Sequence, residues 1–141
     1  MTTVSKIRCG IYAVIAVIAL VATWSQNIAY LDSPATFLGD FLTDLKVNAG
    51  TRSITVDILL LFLAVSILMV IEARKHGIPF VWAYIAGGLL IAISVTFPLF
   101  LIARELRTGG TYPDQLTAID KVLLVVVALG VLGATVWVNV L

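Results

Sequence analysis

The residues in this sequence that could carry chemistry are few. His76 is the single histidine and Cys9 the single cysteine, so one chain cannot supply a bis-histidine haem site or a Cys-x-x-Cys redox pair. The sequence also contains no glycine motif that would cradle a phosphate and no nucleophile elbow. We therefore expect no catalytic residue, no metal site and no cofactor, and predict that the protein is not an enzyme.

Composition indicates the environment in which the few charged residues are placed. The chain has 141 residues, of which 61% are hydrophobic and 12% charged, whereas about a quarter of the residues of a soluble domain are charged. A soluble domain of this size could not bury so much apolar surface. The sequence therefore predicts an integral membrane protein with one domain over residues 1–141. The net charge of +1 gives no attraction to nucleic acid, which we exclude as a partner.

Four apolar segments are each candidates to cross the membrane, which takes about 20 residues. The predicted helices cover residues 8–30, 54–72, 79–103 and 118–140. The second is the shortest, because the 14 uncharged residues between Asp57 and Glu72 span only about 21 Å of helix. This helix must therefore begin near Ser53 and carry Asp57 one turn inside its end. The predicted fold is an all-α, four-helix transmembrane bundle.

The orientation follows from the positions of lysine and arginine. An even number of crossings puts both termini on one side, together with the compact basic pairs Lys6–Arg8 and Arg74–Lys75. The other five basic residues are spread over two longer loops on the opposite side. Dense positive charge near helix ends favours the cytoplasm. We therefore expect a multi-pass protein of the bacterial inner membrane with both termini in the cytoplasm.

The first outer loop contains a further helical pattern. Ser33 and Pro34 form a typical helix start, and Phe37, Phe41 and Leu45 then recur at helical spacing. The pattern predicts a short amphipathic helix on the outer membrane surface. Its apolar face is either a docking surface for a partner or a lid over the ends of the spanning helices.

The third predicted helix contains Pro98, which cannot donate a backbone hydrogen bond to the carbonyl of Ser94. We expect a kink there, which is either a fixed bend or a hinge for transport.

Asp57 and Arg104 are predicted to form a structural ion pair. Both lie near the outer ends of consecutive antiparallel helices in the predicted bundle, and arginine can bind a carboxylate through two hydrogen bonds. The alternative is that Asp57 interacts only with the positive end of its own helix dipole.

Several of these residues belong to a pattern that resembles a known family. The pattern consists of Asp57-Ile58-Leu59, Glu72-Ala73-Arg74-Lys75, Phe97-Pro98-Leu99-Phe100-Leu101 and Arg104-Glu105. It is similar to that of an uncharacterised family of small bacterial multi-spanning membrane proteins, classed as a domain of unknown function. The resemblance covers about residues 8–106 and leaves the fourth helix outside. It implies a membrane core of three or four helices and no particular activity.

Two functions are compatible with these features. The first is a non-catalytic accessory subunit that stabilises or regulates a larger membrane complex, in contact with membrane lipids and other membrane protein subunits. Its expected partner is a lipid-import permease of the mammalian-cell-entry type. The second is a small carrier that works as an oligomer, with Asp57 and the Pro98 kink as its moving parts. The absence of recognisable chemistry and the short loops favour the accessory subunit.

Overall fold

A computed structural model describes residues 1–111 and 116–140, and the described residues form helices and turns without strands. The six α-helices are α1 (Thr3–Asn27), α2 (Phe37–Asp44), α3 (Ala49–His76), α4 (Val81–Gly87), α5 (Ile93–Thr108) and α6 (Ala118–Val140). A short 3-10 turn extends α1 to Tyr30, and a π turn (Gly88–Ala92) follows α4. The four segments long and apolar enough to cross a membrane are Thr3–Tyr30, Ala49–His76, Val81–Thr108 and Ala118–Val140. The predicted all-α membrane fold is therefore confirmed.

Local sequence explains where several of these helices begin and end. Thr2 caps α1 with its side chain, and Asn48 and Thr51 form a reciprocal capping box at the start of α3. Gly77 ends α3 and Gly109 ends α5, both in the left-handed conformation that glycine adopts without steric cost. The second spanning helix therefore starts about one turn earlier than residue 54, where the hydropathy pattern placed it.

The third apolar segment folds back on itself as a helical hairpin. Ala92 has an extended backbone (φ −178°, ψ 138°) between the π turn and α5. The ring centroids of Tyr84 and Phe100 lie 5.7 Å apart, whereas these residues would be about 24 Å apart along one straight helix. Thr96 likewise lies against Gly87 and Gly88. The arms α4 and α5 are therefore antiparallel, and the segment does not run straight from one end of the bundle to the other.

The position of this reversal differs from the predicted kink at Pro98. Helix α5 continues through Pro98, which is buried, and the chain changes direction at Ala92, six residues earlier. A proline inside a helix removes only one backbone hydrogen bond, whereas Gly87 and Gly88 offer no side chain to keep the two arms apart. Close packing of the arms therefore accompanies the reversal at Ala92.

The hairpin decides which helix ends lie together. We call the end of the bundle that holds Thr3, His76, Val81 and Thr108 the hairpin end, and the opposite end, with Tyr30 and Ala49, the far end. At the hairpin end α5 packs between α1 and α3.

The last helix runs in the same direction as α1. Gly110 lies against Thr2 and Ser5 at the hairpin end, only a short connection before α6. At the far end, Gln26 Nε2 donates a hydrogen bond to Asn139 Oδ1 (3.0 Å). The chain therefore begins at the hairpin end and α6 finishes at the far end. Four crossings would place Thr3 and Asn139 at the same end of the bundle, whereas they lie at opposite ends. The side of the membrane on which each terminus lies stays a prediction.

The buried core of the protein is small and lies at the base of the hairpin. It consists of Met69, Ala73, Ile78, Val81 and Phe100. By contrast, none of the described residues of α6 is buried, and most of the large apolar side chains of α1 and α3 are exposed. Apolar surface on this scale suits a lipid environment and the contacts of a membrane protein.

Candidate ionic site at the hairpin end

The first part of the candidate site joins α1 to α5 through a buried glutamate. Glu105 is 5% exposed and Ser5 is 1% exposed. Ser5 Oγ donates a hydrogen bond to Glu105 Oε2 (2.8 Å), and Arg8 Nη1 lies 3.7 Å from Glu105 Oε1. The Thr2 cap fixes the first turn of α1 and so positions Ser5. The buried carboxylate therefore has both a hydrogen-bond donor and a positive charge beside it, as burial of a charge requires.

The second part joins α3 to α5. Arg104 Nε donates a hydrogen bond to Glu72 Oε2 at 2.5 Å. His76, one helical turn after Glu72, places its Nε2 atom 3.4 Å from the same oxygen. Arg104 and Glu105 are adjacent in α5 but contact different helices, α3 and α1, since successive side chains on a helix point about 100° apart. We call the residues Ser5, Arg8, Glu72, His76, Arg104 and Glu105 the ionic site.

The predicted ion pair between Asp57 and Arg104 is wrong. Arg104 binds Glu72, and Asp57 is exposed at a position about 22 Å further along α3 from Glu72. The prediction assumed that the third segment ends at the far end, whereas the hairpin returns Arg104 to the end where α3 finishes. The alternative, in which Asp57 interacts with the positive end of its own helix dipole, is not supported either. Helix α3 begins at Ala49, and dipole effects decay within the first turn.

The amphipathic helix is present as α2, and its aromatic face packs on the end of α1. The ring of Tyr30 makes edge contacts with Phe37 (6.0 Å) and Phe41 (5.7 Å), and Tyr30 Oη donates a hydrogen bond to Asp44 Oδ2 (2.6 Å). Phe37, Phe41 and Leu45 are all half-buried. This arrangement matches the lid interpretation, and the docking interpretation stays a prediction.

Three buried polar atoms have no hydrogen-bond partner within the described part of the chain. They are Trp24 Nε1, Ser66 Oγ and Thr96 Oγ1. Of these, Thr96 lies inside the hairpin against Gly88. In the same described part, no group of three His, Cys, Asp or Glu residues could hold a metal ion.

The chemistry that the ionic site supports is electrostatic cross-linking of three helices. Of its members, Arg104 was predicted from the sequence as a site residue, and the contacts of Ser5, Arg8, Glu72, His76 and Glu105 were not. Glu72, Arg104 and Glu105 stood in the family-like pattern, but the pattern did not show which of them meet.

The sequence of this chain matches a known protein family. The model of the protein of unknown function DUF2834 matches residues 11–106. The chain belongs to the DUF2834 family. The DUF2834 match runs from α1 to the end region of α5, so it includes the whole hairpin and the residues Glu72, Arg104 and Glu105. Ser5, Arg8 and α6 lie outside the DUF2834 match. The resemblance to an uncharacterised family is thus confirmed. No curated protein and no solved structure matches the chain.

Proposed function

We propose that the protein is a non-catalytic accessory subunit of a larger membrane complex. The observation that carries the proposal is the exposed tip of the hairpin. Leu89 is 70% exposed and Leu90 is 76% exposed, both in the π turn before the extended residue Ala92. The arm over residues 81–92 is about 18 Å long, roughly half of a hydrocarbon core about 30 Å thick.

Membrane physics explains why such a tip needs a cover. Irregular backbone at membrane depth occurs only where protein buries it or where it lines a water-filled cavity. Within this chain the side chains of the tip are largely uncovered. A second protein surface against Leu89 and Leu90 would supply the cover. Helix α6, which is apolar and has no buried residue, offers a further contact surface outside the family region.

The proposed partner remains a lipid-import permease of the mammalian-cell-entry type. The test is purification of the full chain from its native membranes in mild detergent, followed by mass determination. We expect a defined complex that contains other subunits, and we expect Leu90→Ser to release the protein from it. Leu60→Ser is the matched control, because Leu60 is similarly exposed but lies on α3. A monomer from unmodified protein, or equal loss with both variants, would contradict the proposal.

A second candidate function is a small oligomeric carrier. Transporters form substrate sites from discontinuous membrane helices, and re-entrant backbone at membrane depth can line a water-filled cavity. The hairpin contains the buried hydroxyl of Thr96, which has no hydrogen-bond partner among the described residues. Asp57 and Pro98 remain the proposed moving parts. A homodimer or homotetramer without other subunits in the same mass determination would favour the carrier over the accessory subunit.

We also propose an orientation, with the hairpin end in the cytoplasm of a bacterial inner membrane. Seven of the nine basic residues belong to this end: Lys6, Arg8, Arg74, Lys75, Arg104, Arg107 and Lys121. Only Lys46 and Arg52 belong to the far end. The positive-inside rule counts basic residues near helix ends, and this distribution supports a cytoplasmic amino terminus. Helix α6 then finishes on the outer side, after three crossings and one hairpin.

A further inference from the structure

The connection between α3 and α4 combines exposed basic and aromatic side chains. Arg74 and Lys75 lie in the last turn of α3, and Phe80 and Trp82 lie at the start of α4. Arg74 and Lys75 are exposed, as are Phe80 (80%) and Trp82 (63%). We call these four residues the basic–aromatic turn.

Phe80 is held in a strained backbone conformation. Its φ of 59° makes it the one non-glycine residue with positive φ among residues 1–111 and 116–140. This region is unfavourable for bulky side chains, and such outliers concentrate at functional positions. Phe80 begins α4 by accepting a hydrogen bond at its carbonyl oxygen from Ala83 N (2.9 Å), a bond that glycine could accept equally well. Because the ring is so exposed, packing inside the protein does not account for a phenylalanine at this position.

Two carboxylates at the hairpin end, Glu72 and Glu105, have direct partners outside the turn. Glu72 is bound by Arg104, and Glu105 is buried against Ser5 and Arg8. Arg74 and Lys75 contribute exposed positive charge. Trp82 is of a type that is enriched at the membrane interface, and phenylalanine, like Phe80, occurs on helix faces buried at the boundary between headgroups and acyl chains. Long basic side chains at this level can extend their charged ends to the headgroups.

We propose that the basic–aromatic turn binds the headgroup of an anionic phospholipid. Arg74 and Lys75 contact the phosphate, as basic residues next to membrane-spanning helices do. The rings of Phe80 and Trp82 lie beside the upper part of the acyl chains. The strained backbone of Phe80 serves this arrangement, since it directs the ring outward at the first turn of the hairpin.

The test compares thermal unfolding of the full-length protein in two kinds of lipid nanodisc. One contains phosphatidylcholine alone and the other contains phosphatidylcholine mixed with phosphatidylglycerol. We expect a higher Tm in the anionic mixture and loss of this shift in the double variant Arg74→Gln/Lys75→Gln. The matched control Lys46→Gln/Arg52→Gln removes the same charge from the far end and should keep the full shift. No shift in unmodified protein, or equal loss in both double variants, would overturn the proposal.

Two further measurements distinguish a lipid headgroup from a free anion and test the role of the Phe80 ring. Inorganic phosphate added to the protein in detergent should leave the Tm unchanged, and a rise that depends on Arg74 and Lys75 would assign the site to a free anion instead. Phe80→Gly relieves the left-handed strain, so its Tm should rise in phosphatidylcholine while the additional shift in the anionic mixture becomes smaller. An equal rise in both lipids would show that the ring has no part in lipid binding.

Discussion

Thr96 and Gly88 face each other across the two arms of the hairpin, and Thr96 Oγ1 lies 3.0 Å from the position that a Cβ atom on Gly88 would occupy. The same Cβ would also meet Ile93 Cδ1 at 2.9 Å and the ring of Phe62 at 3.0 Å. Three different side chains thus surround Gly88 closely. The reversal of the chain therefore depends on a glycine at this position.

The first prediction concerns this contact. Gly88→Ala should destabilise the protein by about 1–3 kcal/mol, because the added methyl group overpacks a closed contact. Gly133→Ala is the matched control, since a Cβ on Gly133 of α6 meets open space and alanine favours helix. Thermal unfolding in detergent should show a lower Tm for the first variant and an unchanged or higher Tm for the second. Equal effects would contradict close packing of the hairpin arms.

The second prediction concerns the partner of Arg104. In a double-mutant cycle, Glu72→Gln and Arg104→Gln should show a coupling energy of about 0.5–3 kcal/mol, because the side chains are in contact. The cycle of Asp57→Asn with Arg104→Gln should be additive, because these residues are far apart. Unfolding free energies in detergent measure both cycles. Coupling of Arg104 to Asp57 but not to Glu72 would contradict the hairpin and support a third helix that runs straight across the bundle.

The third prediction concerns Ser5. Ser5→Ala should cost about 1–3 kcal/mol, because the buried carboxylate of Glu105 then loses a hydrogen-bond donor. Ser25→Ala provides the control within the same helix, since Ser25 is exposed and its hydroxyl donates to the carbonyl of Ala22 in its own helix. The Tm should fall for Ser5→Ala and stay close to that of the unmodified protein for Ser25→Ala. If the two variants behave alike, the hydrogen bond to Glu105 contributes nothing measurable.

The fourth prediction concerns the orientation. In a protein lacking Cys9, an impermeant thiol reagent should label Val47→Cys on intact cells, because Val47 is exposed at the far end. Thr111→Cys, in the connection after α5, should be labelled only after lysis. Four crossings with cytoplasmic termini would instead allow Thr111→Cys to be labelled on intact cells. Labelling of Thr111→Cys on intact cells would place the hairpin end outside.

The four apolar segments could be predicted from the sequence, because hydropathy depends only on the residue types along the chain. It could not show the reversal at Ala92, since the apolar segment is long enough either to cross once or to enter and return. Two signals were nevertheless present. Gly87 and Gly88 are adjacent inside the apolar segment. In addition, the two ends of the bundle differ far more in their number of basic residues if Arg104 and Arg107 lie at the same end as Lys6.

The ionic site illustrates the same limit. Glu72, Arg104 and Glu105 were visible as charged residues bordering apolar segments, but their pairing depends on whether α3 and α5 are parallel. The four-crossing prediction made the second and third helices antiparallel, so Arg104 was assigned to the start of α3 and to Asp57. The hairpin makes α3 and α5 parallel, and Arg104 therefore meets Glu72 at the end of α3.

The hairpin also affects how the chain is inserted during synthesis. In the proposed orientation, with the hairpin end in the cytoplasm, the chain between α3 and α6 enters the membrane as the hairpin and returns to the cytoplasmic side. Arg104, Glu105 and Arg107 then never pass through the hydrocarbon layer, whereas a straight third span would carry all three across it. In this proposed orientation, the insertion machinery has to translocate the loop containing α2, between α1 and α3, and no loop between α3 and α6.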